Sequence, residues 1–240
     1  MRIFLFLLGS LLLACQGTAD TQSTEAISSV SQQSTPQVQS SSSVPKVIVW
    51  GGNLTIHRKE IEFRFQDLLA NSLASNGYER EVIDWGRKDL LLGVPDERLG
   101  FMLDSIVNQK PEWVVLAFGT DEVWREDIAV SSFAERLKII LSSLQKAEIK
   151  TLLITPNPPS PEAPKVIWAR GEEISRQVRE IAIEYFSTVV DYWNFCEIYA
   201  TQAGNSPEDL LLDERYPNEA AHQFITQEAT ALLSFKIGTE

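Results

Sequence analysis

Short runs of consecutive apolar residues alternate with stretches in which apolar residues recur every three or four positions. The first run is Val47-Ile48-Val49-Trp50, a buried strand by its length and continuity. Ile61, Phe65, Leu68, Leu69 and Leu73 then share one helical face, closed by Asn76-Gly77. Glu81–Asp84 predicts a second strand, and Leu99, Met102, Leu103, Ile106 and Val107 a second helix. Trp113–Phe118 predicts a third strand. Ser132 with Glu135 predicts a capping box for a helix through Leu137, Ile140, Leu141 and Leu144. Leu152–Thr155 predicts a fourth strand, ended by Pro156-Asn157-Pro158-Pro159. Ile174, Val178, Ile181, Ala182 and Tyr185 mark another helix, Val189–Asp191 a fifth strand, and a last helix follows Pro217. This order predicts an α/β fold: a five-stranded, doubly wound parallel sheet between two helical layers. Residues 46–240 suffice for one domain with a substantial core, and they hold no internal repeat.

Upstream the pattern changes twice. Met1-Arg2 precedes an apolar stretch from Ile3 to Leu13, interrupted only by Gly9 and Ser10. A charged start and a short apolar core describe a secretory signal, too short to span a bilayer comfortably. It ends Leu12-Leu13-Ala14-Cys15, which resembles the lipobox of bacterial lipoproteins. That resemblance implies cleavage of residues 1–14 and lipid on Cys15; the plainer reading is an ordinary signal with an incidental cysteine. Gln16 points to the outer membrane by the sorting rule of enteric lipoproteins. Residues 15–45 are rich in Ser, Thr and Gln, including Ser40-Ser41-Ser42-Ser43, and lack aromatic residues. Such a segment cannot offset its ordering entropy by burial and reads as a flexible tether. Its random-coil span is roughly 30 Å.

The formal net charge of -12 disfavours nucleic acid and anionic lipid heads as partners. Membrane attachment then falls to acyl chains, at about 0.8 kcal/mol per buried methylene. The chain has two cysteines. With Cys15 lipidated, Cys196 has no partner, and its aromatic setting suits a buried apolar residue rather than a reactive thiol.

The turns that end the strands carry the candidate chemistry. Gly51-Gly52-Asn53-Leu54 follows strand one, Gly86 follows strand two, Gly119-Thr120-Asp121-Glu122 follows strand three, and Asp213-Glu214-Arg215-Tyr216-Pro217-Asn218 precedes the last helix. In that order these segments resemble the SGNH (GDSL) hydrolase family over nearly all of residues 46–240, implying a flavodoxin-like sheet. The family carries Gly-Asp-Ser-Leu, an oxyanion-hole glycine, Gly-x-Asn-Asp and Asp-x-x-His-Pro-Asn at these places. Here Asn53 stands at the serine position, Asp121 at the oxyanion-hole asparagine and Tyr216 at the histidine. Gly86 and the histidine-orienting Asp213 match the family.

Serine attacks, histidine takes its proton, and aspartate orients the histidine in this mechanism. Asparagine offers no alkoxide, and an unperturbed phenol with a pKa of about 10 is a poor base at neutral pH. An ionised Asp121 offers acceptors where an oxyanion needs donors. Of the two histidines, His57 reads as a solvated turn residue and His222 as structural. Thr55, the nearest hydroxyl to the missing serine, is expected to cap the next helix. Asp121 with Asp213 offers a paired-carboxylate alternative. Without ligand-spaced histidines, no metal or cofactor is expected. Asp121–Asp127 reads as a solvated charged loop anchored by Trp124.

The sequence therefore leads to a lipid-anchored bacterial envelope protein facing the periplasm or the surface, with a non-catalytic binding or scaffold domain. Asn53, Gly86, Asp121, Asp213 and Tyr216 would line its pocket, with a glycan, peptidoglycan or an envelope protein as partner. The alternative is a divergent but active esterase or carbohydrate O-deacetylase.

Overall fold

A computed structural model describes residues 44–55, 60–88 and 90–239. The expected signal segment, Cys15, nearly all of the expected tether and His57 lie outside the described residues.

Among the described residues the elements run β1 (Lys46–Gly51), α1 (Phe65–Ser75), β2 (Glu81–Asp84), α2 (Glu97–Gln109), β3 (Trp113–Ala117), α3 (Thr120–Val123), α4 (Val130–Lys146), β4 (Lys150–Ile154), α5 (Lys165–Glu184), β5 (Thr188–Val190), α6 (Tyr192–Ala200) and α7 (Glu219–Gly238), with 3-10 turns at Asn53–Thr55 and Pro207–Leu210. The strands form one sheet in the order β2-β1-β3-β4-β5, every neighbouring pair parallel. No helix among the described residues is long and apolar enough to cross a membrane.

The continuous apolar runs are explained by burial on both faces. Successive strand side chains point to opposite sides. Val47 and Val49 join the core beneath α1, α6 and α7, while Ile48 and Trp50 join the core beneath α2, α4 and α5. All four are fully buried.

The helices depart from the sequence pattern where a local hydrogen bond overrides periodicity. Ile61 is buried but precedes α1, because Arg64 is extended at the N-cap and its guanidinium holds Asp67 and Asp84 at 2.8 and 3.0 Å. The expected capping box at Ser132 is absent: α4 starts earlier, at Val130, and the Ser132 N–H already bonds the Ala129 carbonyl at 3.0 Å. Thr55 does not cap α1; its hydroxyl donates to the Gly52 carbonyl at 2.8 Å and closes the turn after β1. Helix α6 was not anticipated. Asp191, expected to end the fifth strand, instead caps α6 by accepting the Asn194 N–H at 3.3 Å.

Gly51 is where the sheet demands an absent side chain. A Cβ there would stand 2.3 Å from the Ala117 carbonyl oxygen, a backbone atom of the neighbouring strand. Gly51→Ala should therefore lower the urea midpoint, with a loss of about 2–3 kcal/mol from strand displacement. An unchanged midpoint would mean that the β1–β3 spacing relaxes freely.

Candidate functional site

Strand order reverses between β1 and β3, and the C-terminal edge of such a switch point is where open α/β sheets bind ligands. The turns after these two strands meet there. The Gly52 N–H bonds the Ala117 carbonyl at 3.3 Å, and the Gly52 carbonyl accepts the Thr55 N–H at 3.1 Å. Asn53 opens the 3-10 turn that results. A Cβ on Gly52 would lie 2.6 Å from Asp121 Oδ2, so the Asp121 carboxylate presses against the glycine turn.

On the β2 side the ladder to β1 continues past the strand. The Trp85 N–H bonds the Val49 carbonyl at 2.8 Å and the Arg87 N–H bonds the Gly51 carbonyl at 3.1 Å. Between them, the Gly86 N–H donates to Asp84 Oδ1 at 2.7 Å. The N–H that the resemblance would assign to an oxyanion hole is thus engaged by a carboxylate of its own chain. Asp84 is held in turn by Arg64 at 3.0 Å and Gln66 at 2.8 Å.

Tyr216 arrives on the turn before α7. Asp213 Oδ1 accepts the backbone N–H groups of Arg215 and Tyr216 at 2.8 and 2.9 Å, shaping that turn. The Tyr216 hydroxyl donates to Asp121 Oδ1 at 3.2 Å. Asn157 couples the two turns: it accepts the Thr120 hydroxyl at 3.1 Å and donates to the Arg215 carbonyl at 2.7 Å. The Arg215 guanidinium lies 4.5 Å from the Trp124 ring centre.

Glu122 corrects the reading of 121–127 as a solvated loop. Its carboxyl is buried, accepting the Leu92 N–H at 2.6 Å and the Gly119 N–H at 2.9 Å. Burial pushes its pKa up to about 7, against the backbone donors of Leu92, Glu122 itself and Gly119, which pull it down. Gly119, at φ +115, takes a conformation that favours glycine and starts α3. Arg170 donates to the Glu122 and Ile128 backbone carbonyls at 2.8 and 2.5 Å, tying the same segment to α5.

His222 sits in the first turn of α7, is 2% exposed, and its Nδ1 has no hydrogen-bond partner among the described residues. Burial lowers its pKa to about 4. Cys196 is buried without a disulfide among the described residues, and burial raises its pKa to about 12. Among the described residues no three His, Cys, Asp or Glu side chains gather as a metal-binding group.

Of the residues singled out from sequence, the fold brings Tyr216, Asp121 and the Gly52–Asn53 turn to one edge, with Asp213 shaping the turn under Tyr216. Gly86 lies behind that turn: a Cβ on it would meet the Thr55 hydroxyl oxygen at 2.1 Å. Asp84, Glu122 and Asn157 were not foreseen as site residues. An asparagine between two prolines was the one local signal for Asn157; the partners of Asp84 and Glu122 come from other elements.

A five-stranded parallel sheet of this order, wrapped by helices on both faces, defines a doubly wound, flavodoxin-like α/β fold. The sequence profile described as GDSL-like lipase/acylhydrolase matches residues 49–224, and the chain belongs to that family. No curated protein matches the sequence. Its fold is similar to a lipase/acylhydrolase from Enterococcus faecalis, at TM-score 0.67 and 19% identity over 80% of this chain and 97% of the other. It is also similar to the acetyl xylan esterase AlAXEase, at TM-score 0.65 and 21% identity over 78% and 98%. For the acetylxylan esterase Axe2 from Geobacillus stearothermophilus the values are 0.62 and 17% over 77% and 92%.

Proposed function

We propose that this is a lipid-anchored envelope protein whose GDSL-type domain binds a hydroxyl-rich ligand, a glycan, without hydrolysing it. The observation that carries the reading is the Tyr216–Asp121 hydrogen bond. In this reading a phenol occupies the base position and donates a hydrogen bond to a carboxylate at the oxyanion position. An oxyanion about 4 Å from that carboxylate would be repelled by about 4 kcal/mol at an effective dielectric near 20. A lost donor alone costs about 3–4 kcal/mol. With the Gly86 N–H held by Asp84, the edge is rich in acceptors. Acceptors suit sugar hydroxyls, which donate, better than an ester oxygen that gains charge. Attachment through Cys15 and the 15–45 tether, to the outer membrane with the domain facing the periplasm or the surface, completes the proposal.

The second reading is an active divergent esterase or deacetylase, favoured by the esterases among the structural neighbours. Incubating the full chain with 4-nitrophenyl acetate and a fluorophosphonate probe separates the two. The binding reading expects turnover at the buffer rate and no labelled side chain. Turnover above buffer that Asp121→Ala or Tyr216→Phe abolishes would establish the esterase instead.

A further inference from the structure

A groove of about 290 Å³ opens beside the candidate site, lined by Trp85, Arg87, Leu90, Arg98, Phe101 and Met102. We infer that it binds the acidic sugar units of a uronic-acid-containing oligosaccharide, which rests on the glycan-binding reading above and specifies its ligand.

The groove is built on fixed backbone. Trp85 and Arg87 are pinned by the hydrogen bonds that prolong the β1–β2 ladder, and Gly86 between them packs against Thr55 of the turn after β1. The segment that returns from the groove is anchored where the Leu92 N–H meets the buried Glu122. Met102 and Leu90 are buried beneath, whereas Phe101 on α2 is 73% exposed. An exposed phenylalanine beside a half-buried tryptophan offers apolar ring faces to a ligand from solvent, and the C–H faces of a sugar ring fit such surfaces.

Charge selects the sugar. The chain as a whole is at -12, yet among the described residues this lining carries two arginines and no carboxylate. Arg98 is oriented by Asp96, whose carboxylate accepts its Nε at 3.0 Å and terminal nitrogen at 2.6 Å, which offsets part of its charge. Arg87, the second arginine of the lining, is exposed to solvent. Guanidinium groups pair with carboxylates in a planar, two-pronged geometry. Hydroxyls for Asp121, C–H faces for Trp85 and Phe101, and a carboxylate for Arg87 occur together in a uronate chain. A neutral glycan lacks the last.

The test is calorimetric titration of the detergent-solubilised full chain with an oligogalacturonate and with a neutral xylo-oligosaccharide of equal length. The acidic ligand should bind about tenfold more tightly, with the preference shrinking in high salt. Arg87→Gln should erase the preference, and Phe101→Ser should weaken both ligands by about tenfold. Both side chains are exposed, so neither variant threatens folding. Tyr216→Phe should weaken both ligands and leave the preference intact. Equal affinity for the two ligands would overturn the inference while the binding-module reading stands. An acidic preference untouched by Arg87→Gln and Phe101→Ser would place that ligand elsewhere. Acidic binding lost in Arg87→Gln but indifferent to Tyr216→Phe would keep the groove and remove the glycan from the Asp121 edge. Failure of both ligands to bind would defeat both readings.

Discussion

Neither Asn53→Ser nor Tyr216→His alone should raise ester turnover or fluorophosphonate labelling above the unmodified protein. Labelling should first emerge when the two are combined, and it should accelerate on adding Asp121→Asn. The members of a triad act as a unit, and losing the nucleophile or the base costs on the order of a millionfold either way. A serine without a base stays a weak nucleophile, and a base without a serine has nothing to deprotonate. The third change exchanges a repelling carboxylate for a donor, about 100- to 1,000-fold for the donor alone. The triple variant should still be slow. The Gly86 N–H remains bonded to Asp84 at 2.7 Å, and Asp213 remains committed to two backbone N–H groups. Strong labelling of Asn53→Ser alone would show that a base survives elsewhere, and the unreactive reading would fail.

The parts of this molecule that were legible in sequence are those fixed by local pattern. The two central strands were visible because burial on both faces demands unbroken apolar runs, as in Val47–Trp50 and Trp113–Ala117, whereas the edge strand Glu81–Asp84 is only half-buried and gives a weaker signal. Helix α7 was visible because Pro217 and Asn218 announce its start, and Asn218 Oδ1 does accept the Ala221 N–H at 3.1 Å. Helix α6 could have been read: Asp191 offers a cap, and Tyr192, Cys196 and Tyr199 recur at helical spacing. The aromatic run there masked the period. Ile61 misled because it is apolar and in phase with α1, although a side chain can be buried without its backbone being helical. In the candidate site, strand-end placement suggested residues 53, 121 and 216 for one edge, where the structure sets the Gly52–Asn53 backbone turn, the Asp121 carboxylate and the Tyr216 hydroxyl. The Glu122 bond to Leu92, the Asp84 bond to the Gly86 N–H and the Asn157 bridge did not follow. Each depends on the path of a loop, and a charged residue in a loop reads as solvated until the fold encloses it.

Enclosing Glu122 and His222 has a consequence for stability. Between about pH 4.5 and 6.5 the two should act in opposite directions and nearly cancel. Glu122 titrates near 7 when folded against an unperturbed 4.5, so in this window the native state holds a proton that the unfolded chain gives up. Its contribution is therefore greatest below the unfolded value and falls by about 3 kcal/mol as pH rises through the folded value. His222 titrates near 4 when folded against 6.5, so the unfolded chain binds the proton first as pH falls. Its contribution is complete above the unfolded value and is lost, by about 3 kcal/mol, as pH falls through the folded value. Carboxylates in surface ion pairs add a common acid sensitivity, so the informative quantity is the difference between variants in urea unfolding. Relative to the unmodified protein, Glu122→Gln should lose stability progressively as pH falls from 7 to 4.5. It should also carry a constant deficit, because one of the Leu92 and Gly119 N–H groups then faces an amide donor. His222→Leu should gain relative stability as pH falls from 6.5 to 4, and the double variant should follow the unmodified slope between 4.5 and 6.5. Difference curves that stay flat across the window would mean that both groups titrate as solvated side chains, so that the enclosure of Glu122 by Leu92 and Gly119 does not persist in solution.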